Sequence, residues 1–223
     1  MRTVIFDLDG TLADTSGDLI AAANVCFRQM GLGDVLNPAT DQGTALRGGK
    51  RMLTLGLERT GRYDPAVVED FYPVLLEAYA GQIDHHTVLY PGAMAAVAAL
   101  RDAGYGVGIC TNKPEGLAEQ LLQSLGVRDD FAALVGADTL AVRKPDPEPL
   151  REAARRAGGD PALTLLVGDS DTDRNTARAA GVPSVLVTFG PSGDDMAALE
   201  PEALLHRYDD LPGLVAQLIG ANS

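Results

Sequence analysis

The chain has 223 residues, 46% of them hydrophobic, enough for one large domain or for a core with a smaller inserted unit. Its formal net charge of −13, from 18 basic and 31 acidic residues, opposes binding to nucleic acid and suggests a small-molecule substrate instead. No apolar run reaches membrane-span length, no signal-peptide pattern opens the sequence, and Cys26 and Cys110 read as small buried hydrophobes, so the expected setting is reducing cytoplasm with no membrane partner.

The first predicted element is a strand, the apolar run Val4-Ile5-Phe6 ending at Asp7. Alternation along an extended chain points Asp7 and Asp9 the same way, and Gly10-Thr11 then turns the backbone. Two such carboxylates repel each other unless a cation or a shared proton intervenes, and the simplest occupant is a hard divalent metal. Helical spacing follows in Leu19, Ala23, Phe27 and Met30, with Thr15 or Ser16 as cap and Gly31 as stop. A second helix starts at Gly49 or Lys50 and runs to about Thr60. A third carries Val67, Phe71, Leu75 and Tyr79, where Pro73 either kinks it or marks its real start.

After Tyr90-Pro91-Gly92 helices and strands alternate. Helices are predicted near 93–103, 115–125, 147–157, 172–180 and 210–219, and strands at 106–110, 133–136, 163–167 and 183–187. This alternation argues for a doubly wound α/β core, Rossmann-like, with a parallel sheet covered on both faces. Residues 14–85 read as an inserted all-helical cap and residues 1–13 and 86–223 as the core, with hinges near Leu12–Thr15 and Asp84–Pro91. Ligands of such sheets bind beyond the carboxyl ends of the strands, where Asp7, Thr111 and Asp169 fall.

Three downstream segments carry further chemistry. Thr111-Asn112-Lys113-Pro114 offers a hydroxyl and amides to phosphoryl oxygens, or simply caps the next helix. Lys144 precedes Pro145-Asp146-Pro147 in a chain with fifteen arginines and only three lysines, Lys50, Lys113 and Lys144, so each lysine invites scrutiny as a compact point charge. Gly168-Asp169-Ser170-Asp171-Thr172-Asp173 ends another apolar strand in acids, the glycine allowing a ligand to approach closely. An EF-hand is excluded, because Arg174 and Ala180 stand where glycine and glutamate are needed. Gly104-Tyr105-Gly106-Val107-Gly108 precedes a strand instead of following one, which excludes a dinucleotide fingerprint. His85, His86 and His206 lack metal-ligand spacing, and the first two read as hinge-surface residues.

In this order the segments D-x-D-G-T, T-N-K-P, K-P-D-P and G-D-S-D-T-D resemble the haloacid-dehalogenase-like superfamily of phosphohydrolases, and within it the phosphoglycolate phosphatases, over essentially the whole chain. The resemblance implies that Asp7 is the nucleophile and Asp9 the general acid/base. It also implies that Thr111 and Asn112 hold phosphate while Lys144 neutralises nucleophile and phosphoryl group. Mg²⁺ would be held by Asp7, Asp169 and the backbone carbonyl of Asp9, with Asp173 positioning the ion or a water on it; Asp171 is a surface acid.

The implied activity is Mg²⁺-dependent hydrolysis of a small phosphorylated metabolite, 2-phosphoglycolate first, by a monomer or homodimer. The alternatives are a β-phosphoglucomutase-like phosphotransferase, a phosphatase for another small metabolite, a haloacid dehalogenase, for which Asp9 and Asp173 are superfluous, or an idle binding module. In the cap, Arg47-Gly48-Gly49-Lys50-Arg51 sets three cations around paired glycines before a helix. The expectation there is that Lys50 or Arg51 reads the substrate carboxylate, with Arg47 and Gly49 alongside; the bland alternative is a solvated, glycine-broken helix start.

Overall fold

Strand β1 (Thr3–Phe6) is buried along its whole length, as an apolar strand flanked by pairing partners on both sides should be. In the computed structural model, which describes residues 1–191 and 193–221, the chain then turns through Gly10, whose φ of 80° suits glycine, into the short strand β2 (Ala13–Asp14). Four helices follow: α1 (Ser16–Gln29), α2 (Gln42–Ala45), α3 (Gly49–Arg59) and α4 (Pro65–Ala80). Strand β3 (Val88–Leu89) pairs with β2 and ends the excursion.

From there the alternation is regular: α5 (Ala93–Asp102), β4 (Gly106–Cys110), α6 (Glu115–Ser124), β5 (Ala133–Val135), α7 (Glu148–Arg156), β6 (Thr164–Gly168), α8 (Asp171–Ala180), β7 (Ser184–Val187), β8 (Ala203–Leu205) and α9 (Leu211–Ile219). The six long-range strands form one parallel sheet in the order β5-β4-β1-β6-β7-β8. This is the α/β Rossmann-like architecture expected from the alternation, with one strand more than the sequence suggested. Strand β8 is three residues long, half-buried and at the sheet edge, so it carries almost no hydrophobic period. Side chains such as Ile5, Cys110, Val135, Leu150, Leu166 and Ala177 pack the core between sheet and helices. Both cysteines are free and buried.

Contacts divide the chain into two compact units, Asp14–Val88 and the remainder. Within the helical unit α1 buries Leu19, Ala23 and Phe27 of the stripe its spacing predicted, while Met30 caps the helix and is half-buried. Gly56 of α3 admits the Phe27 ring: a Cβ there would lie 2.1 Å from the ring's Cζ. Helix α4 runs through Pro73 without interruption, because Pro73 sits on the exposed face where water can serve the carbonyl it leaves unpaired. The buried Asp18 carboxylate accepts from the backbone amides of His86 and Thr87 and from the Thr87 hydroxyl, which ties those residues to α1 and carries this unit on to Val88. His85 and His86 are exposed. Among the described residues no helix is long and apolar enough to cross a membrane.

Candidate active site

The sheet reverses its winding at β1: β4 lies on one side and β6 on the other. In open α/β sheets, such a reversal is where loops diverge and ligands bind beyond the carboxyl ends of the strands. Asp7 stands at the end of β1, held in line by its amide, which donates to the carbonyl of Val167 at 2.9 Å. Its Oδ1 accepts from the amide of Leu8 at 2.7 Å, and its Oδ2 lies 3.0 Å from Lys144 Nζ. Asp169 follows β6, and Asp173 lies in the first turn of α8.

Ligand oxygens of Asp7, Asp169 and Asp173 all fall within 4.8 Å of one another. Hard carboxylate oxygens in such a cluster are the donor type that Mg²⁺ takes. Electrostatics agree with a need for positive charge. Burial pushes the Asp7 carboxyl up to about 6 against the pull of the Lys144 ammonium, and Asp173 and Asp9 add to the rise. Asp169 is likewise pushed well above the usual carboxylate range, by burial first and then by Asp173 and Asp7. A divalent cation among these oxygens would reverse both shifts. The donor set therefore fits a hard divalent ion.

Lys144 is only 1% exposed along its side chain, and its ammonium also lies 2.6 Å from Asp173 Oδ1. Burial alone would favour loss of its proton, but Asp173 and Asp7 overcome this and hold the ammonium above the ordinary lysine range. Asp173 has both oxygens engaged: Oδ1 with Lys144, and Oδ2 with the Ser170 hydroxyl at 2.6 Å and the Asp169 amide at 3.2 Å. It is thus the hub that fixes Lys144 and the Asp169 backbone together. Gly168 serves this hub, a reason for the glycine that the sequence did not suggest. A Cβ there would fall 2.4 Å from the Asp173 side chain, so the glycine makes room for the protein's own acid. Ser170 also caps α8 by accepting from the Asp173 amide.

Asp9 is served by a different lysine. Lys113 Nζ donates to Asp9 Oδ1 at 2.7 Å, and the Lys113 side chain is only 3% exposed. No role was assigned to Lys113 from sequence beyond its rarity, since a contact spanning 104 residues leaves no local pattern. The Thr111 hydroxyl is buried at the end of β4 and accepts from the Lys113 amide at 3.2 Å. Asn112 is exposed, and its side-chain amide donates to the Lys144 carbonyl at 3.0 Å, joining the second and third sequence segments. Asp171 is exposed. The thiol of Cys110, behind the site, is pushed up to about 12 by burial and stays neutral.

In the helical unit, Arg47, Lys50 and Arg51 are all exposed. Lys50 is committed, its ammonium bonding both Glu69 oxygens at 2.7 and 2.6 Å and lying 5.0 Å from the Tyr72 ring centroid. Arg47 and Arg51 have no ion-pair partner among the described residues. Gly49 packs against Tyr72 and Leu75, where a Cβ would come within 2.9 Å of Leu75, so it is needed for helix packing.

Comparison with known proteins gives three results. The family model of haloacid dehalogenase-like hydrolases matches residues 1–181. A phosphoglycolate phosphatase of Mesorhizobium japonicum is 39% identical over 209 residues, 93% of this chain and 92% of its own; one of Rhodospirillum rubrum is 38% identical over 217 residues, 96% and 89%. Among solved structures, a predicted phosphoglycolate phosphatase from Haemophilus somnus superposes with a TM-score of 0.83 at 23% identity, covering 96% of this chain and 97% of its own. A HAD-superfamily hydrolase from Geobacter sulfurreducens gives 0.72 at 23% identity, covering 96% of both. At these identities the two structures speak for the fold alone.

Proposed function

The chain belongs to the haloacid dehalogenase-like hydrolases, and from that premise we propose that it is a Mg²⁺-dependent phosphatase of small phosphate monoesters, with 2-phosphoglycolate as its substrate. The observation that carries this reading is the cluster of Asp7, Asp169 and Asp173 around the buried ammonium of Lys144. Relatives at 38–39% identity that carry the phosphoglycolate phosphatase name support the choice of substrate.

Asp7, Asp169 and the backbone carbonyl of Asp9 would hold the ion, with Asp173 in support. Bound there, Mg²⁺ supplies positive charge to the transferring phosphoryl group. The remaining work falls to the chain. An Asp7 oxygen forms a bond to phosphorus as the bond to the leaving oxygen breaks, and Asp9 gives that oxygen its proton. Asp9 then takes a proton from the water that attacks phosphorus, and the acyl-phosphate bond to Asp7 breaks to release phosphate. Lys144 offsets the charge of nucleophile and phosphoryl group, while Thr111 and Asn112 hold phosphoryl oxygens. Phosphoryl transfer asks mainly for such positioning and charge, which a buried set of ion pairs supplies.

The helical unit acts in this reading as a cap that excludes water and reads the leaving group. Because Glu69 occupies Lys50, Arg51 is the more available cation for a substrate carboxylate, with Arg47 beside it. A phosphate-release screen across small monoesters, run with Mg²⁺ and with chelator, tests the proposal. Turnover greatest on 2-phosphoglycolate and lost in chelator, with the fold intact, is expected. Full phosphate release in chelator would overturn the Mg²⁺ dependence, whereas no phosphate release from any monoester together with halide release from a 2-haloacid would favour the dehalogenase; transfer of phosphate to a sugar instead of water would favour the phosphotransferase.

A further inference from the structure

Tyr208 lies between β8 and α9, beyond the residues 1–181 that the family model matches. Its ring is buried against Phe189 at 5.3 Å between centroids, and Phe189 in turn meets Tyr90 at 4.8 Å. Its hydroxyl donates to the backbone carbonyl of Thr11, 197 residues away, at 2.6 Å. Thr11 is itself fully buried and donates its own hydroxyl to Asp169 Oδ1 at 3.0 Å.

This carbonyl is a point where the turn needs outside help. Within the turn, the amides of Thr11, Leu12 and Ala13 all converge on the Leu8 carbonyl, and the Gly10 amide donates to Ala13. The Thr11 carbonyl is taken up by Tyr208. Burial, with Tyr90 and Asp169 adding to it, holds the phenol above its ordinary range. Removing a buried donor leaves its acceptor unsatisfied, and the backbone then shifts to find another partner.

We propose that Tyr208 is a positioning residue: its hydroxyl fixes the backbone of Thr11, and through the Thr11 hydroxyl it sets the orientation of Asp169 among the metal-binding acids. This deepens the reading of a Mg²⁺-dependent phosphatase and rests on it. A tyrosine that merely fills space would stabilise the fold without touching ion binding, which is the distinction the experiment draws.

Tyr208→Phe keeps the ring and deletes the hydroxyl. Mg²⁺ affinity is measured by calorimetry well below the variant's own melting transition, alongside kcat, KM on p-nitrophenyl phosphate and Tm. The expected result is a Mg²⁺ Kd raised roughly tenfold and kcat lowered to match, with KM within about twofold, the scale of one buried hydrogen bond. In a Thr11→Val background, where the hydroxyl to Asp169 is already gone, the same change should add almost nothing to the loss of Mg²⁺ affinity. Phe189→Leu, which thins the aromatic packing with the hydroxyl intact, should lower Tm and leave Mg²⁺ affinity unchanged. Unaltered Mg²⁺ affinity in Tyr208→Phe overturns the proposal, as does an equal loss in the wild-type and Thr11→Val backgrounds. Failure of the phosphatase reading would show instead as absent phosphate release from the parent protein.

Discussion

At the carboxyl edge of the sheet the charged side chains are sunk into the protein and bonded to one another. Lys144 reaches Asp7 and Asp173, Lys113 reaches Asp9, and Asp173 also gathers Ser170 and the Asp169 amide. In the helical unit the cations of segment 47–51 stand in solvent, and the one with partners, Lys50, is held by an exposed glutamate. Buried charges tolerate one arrangement, because an unpaired ion there is costly, whereas exposed ion pairs are worth little and can be exchanged. In the proposed function, reaction chemistry rests on the first kind of charge and choice of substrate on the second. The substrate is therefore the easier of the two to change by mutation.

The largest break in that contrast is expected at Asp7. Asp7→Asn should lower turnover at least about a thousandfold and prevent trapping by beryllofluoride, as loss of a nucleophile does. Asp9→Asn should still form phosphoenzyme but release phosphate slowly; mass spectrometry that places the covalent label on Asp9 would reverse the two roles.

Next comes Lys144. Lys144→Ala strands Asp7 and Asp173 and should cost roughly 3–5 kcal/mol in denaturant unfolding as well as nearly all activity. Lys144→Arg should not rescue activity, since a planar guanidinium fork has no room between carboxylates 3.0 and 2.6 Å from the present ammonium. Near-normal kinetics in the arginine variant would show that a diffuse charge suffices.

On the exposed side, the Lys50→Ala/Arg51→Ala double variant should raise KM for 2-phosphoglycolate roughly tenfold, as loss of one charged hydrogen bond would. Arg51→Ala alone should account for most of it, and p-nitrophenyl phosphate, which has no carboxylate, should be unaffected. Equal losses on both substrates would assign these cations to cap folding or closure.

The smallest effect sharpens the comparison from within the helical unit. Asp41 is buried and accepts two bonds from Arg59 at 2.6 and 2.7 Å, and this pairing holds its carboxyl below the usual carboxylate range. A depressed folded value contributes stability above the unfolded value near 3.8, lost as pH falls through the folded one. Asp41→Asn should therefore lower Tm by about 2–4 °C at pH 7, with the gap closing in strong acid. A gap independent of pH would trace the loss to the Asn37 amide that Asp41 also binds.

The strands that carry the site were legible in sequence because each is an apolar run stopped by a polar residue: Phe6 before Asp7, Cys110 before Thr111, Gly168 before Asp169. The partners of those residues were harder to read. Lys113 stood out only by scarcity, Tyr208 had no local signature, and the space that Gly168 clears for Asp173 was not foreseen. Such facts depend on which loops meet in space, and a single chain records no trace of pairings 104 or 197 residues apart. The edge strand β8 escaped for the opposite reason: it is too short and too exposed to show a period.

The helical unit leaves and rejoins the sheet domain through one doorway. Strands β2 and β3 lie side by side there, and the Tyr90 amide already donates to the Leu12 carbonyl at 3.0 Å. An insertion whose ends meet in this way behaves as a cassette. It could be excised and the gap closed by a tight loop, or replaced by a segment of another length, while the pairing of β1 with β4 and β6 stays as it is. For protein engineering the splice points are therefore 13 and 89. A lineage that lengthened, shortened or swapped this segment would have kept the same sheet while meeting new substrates.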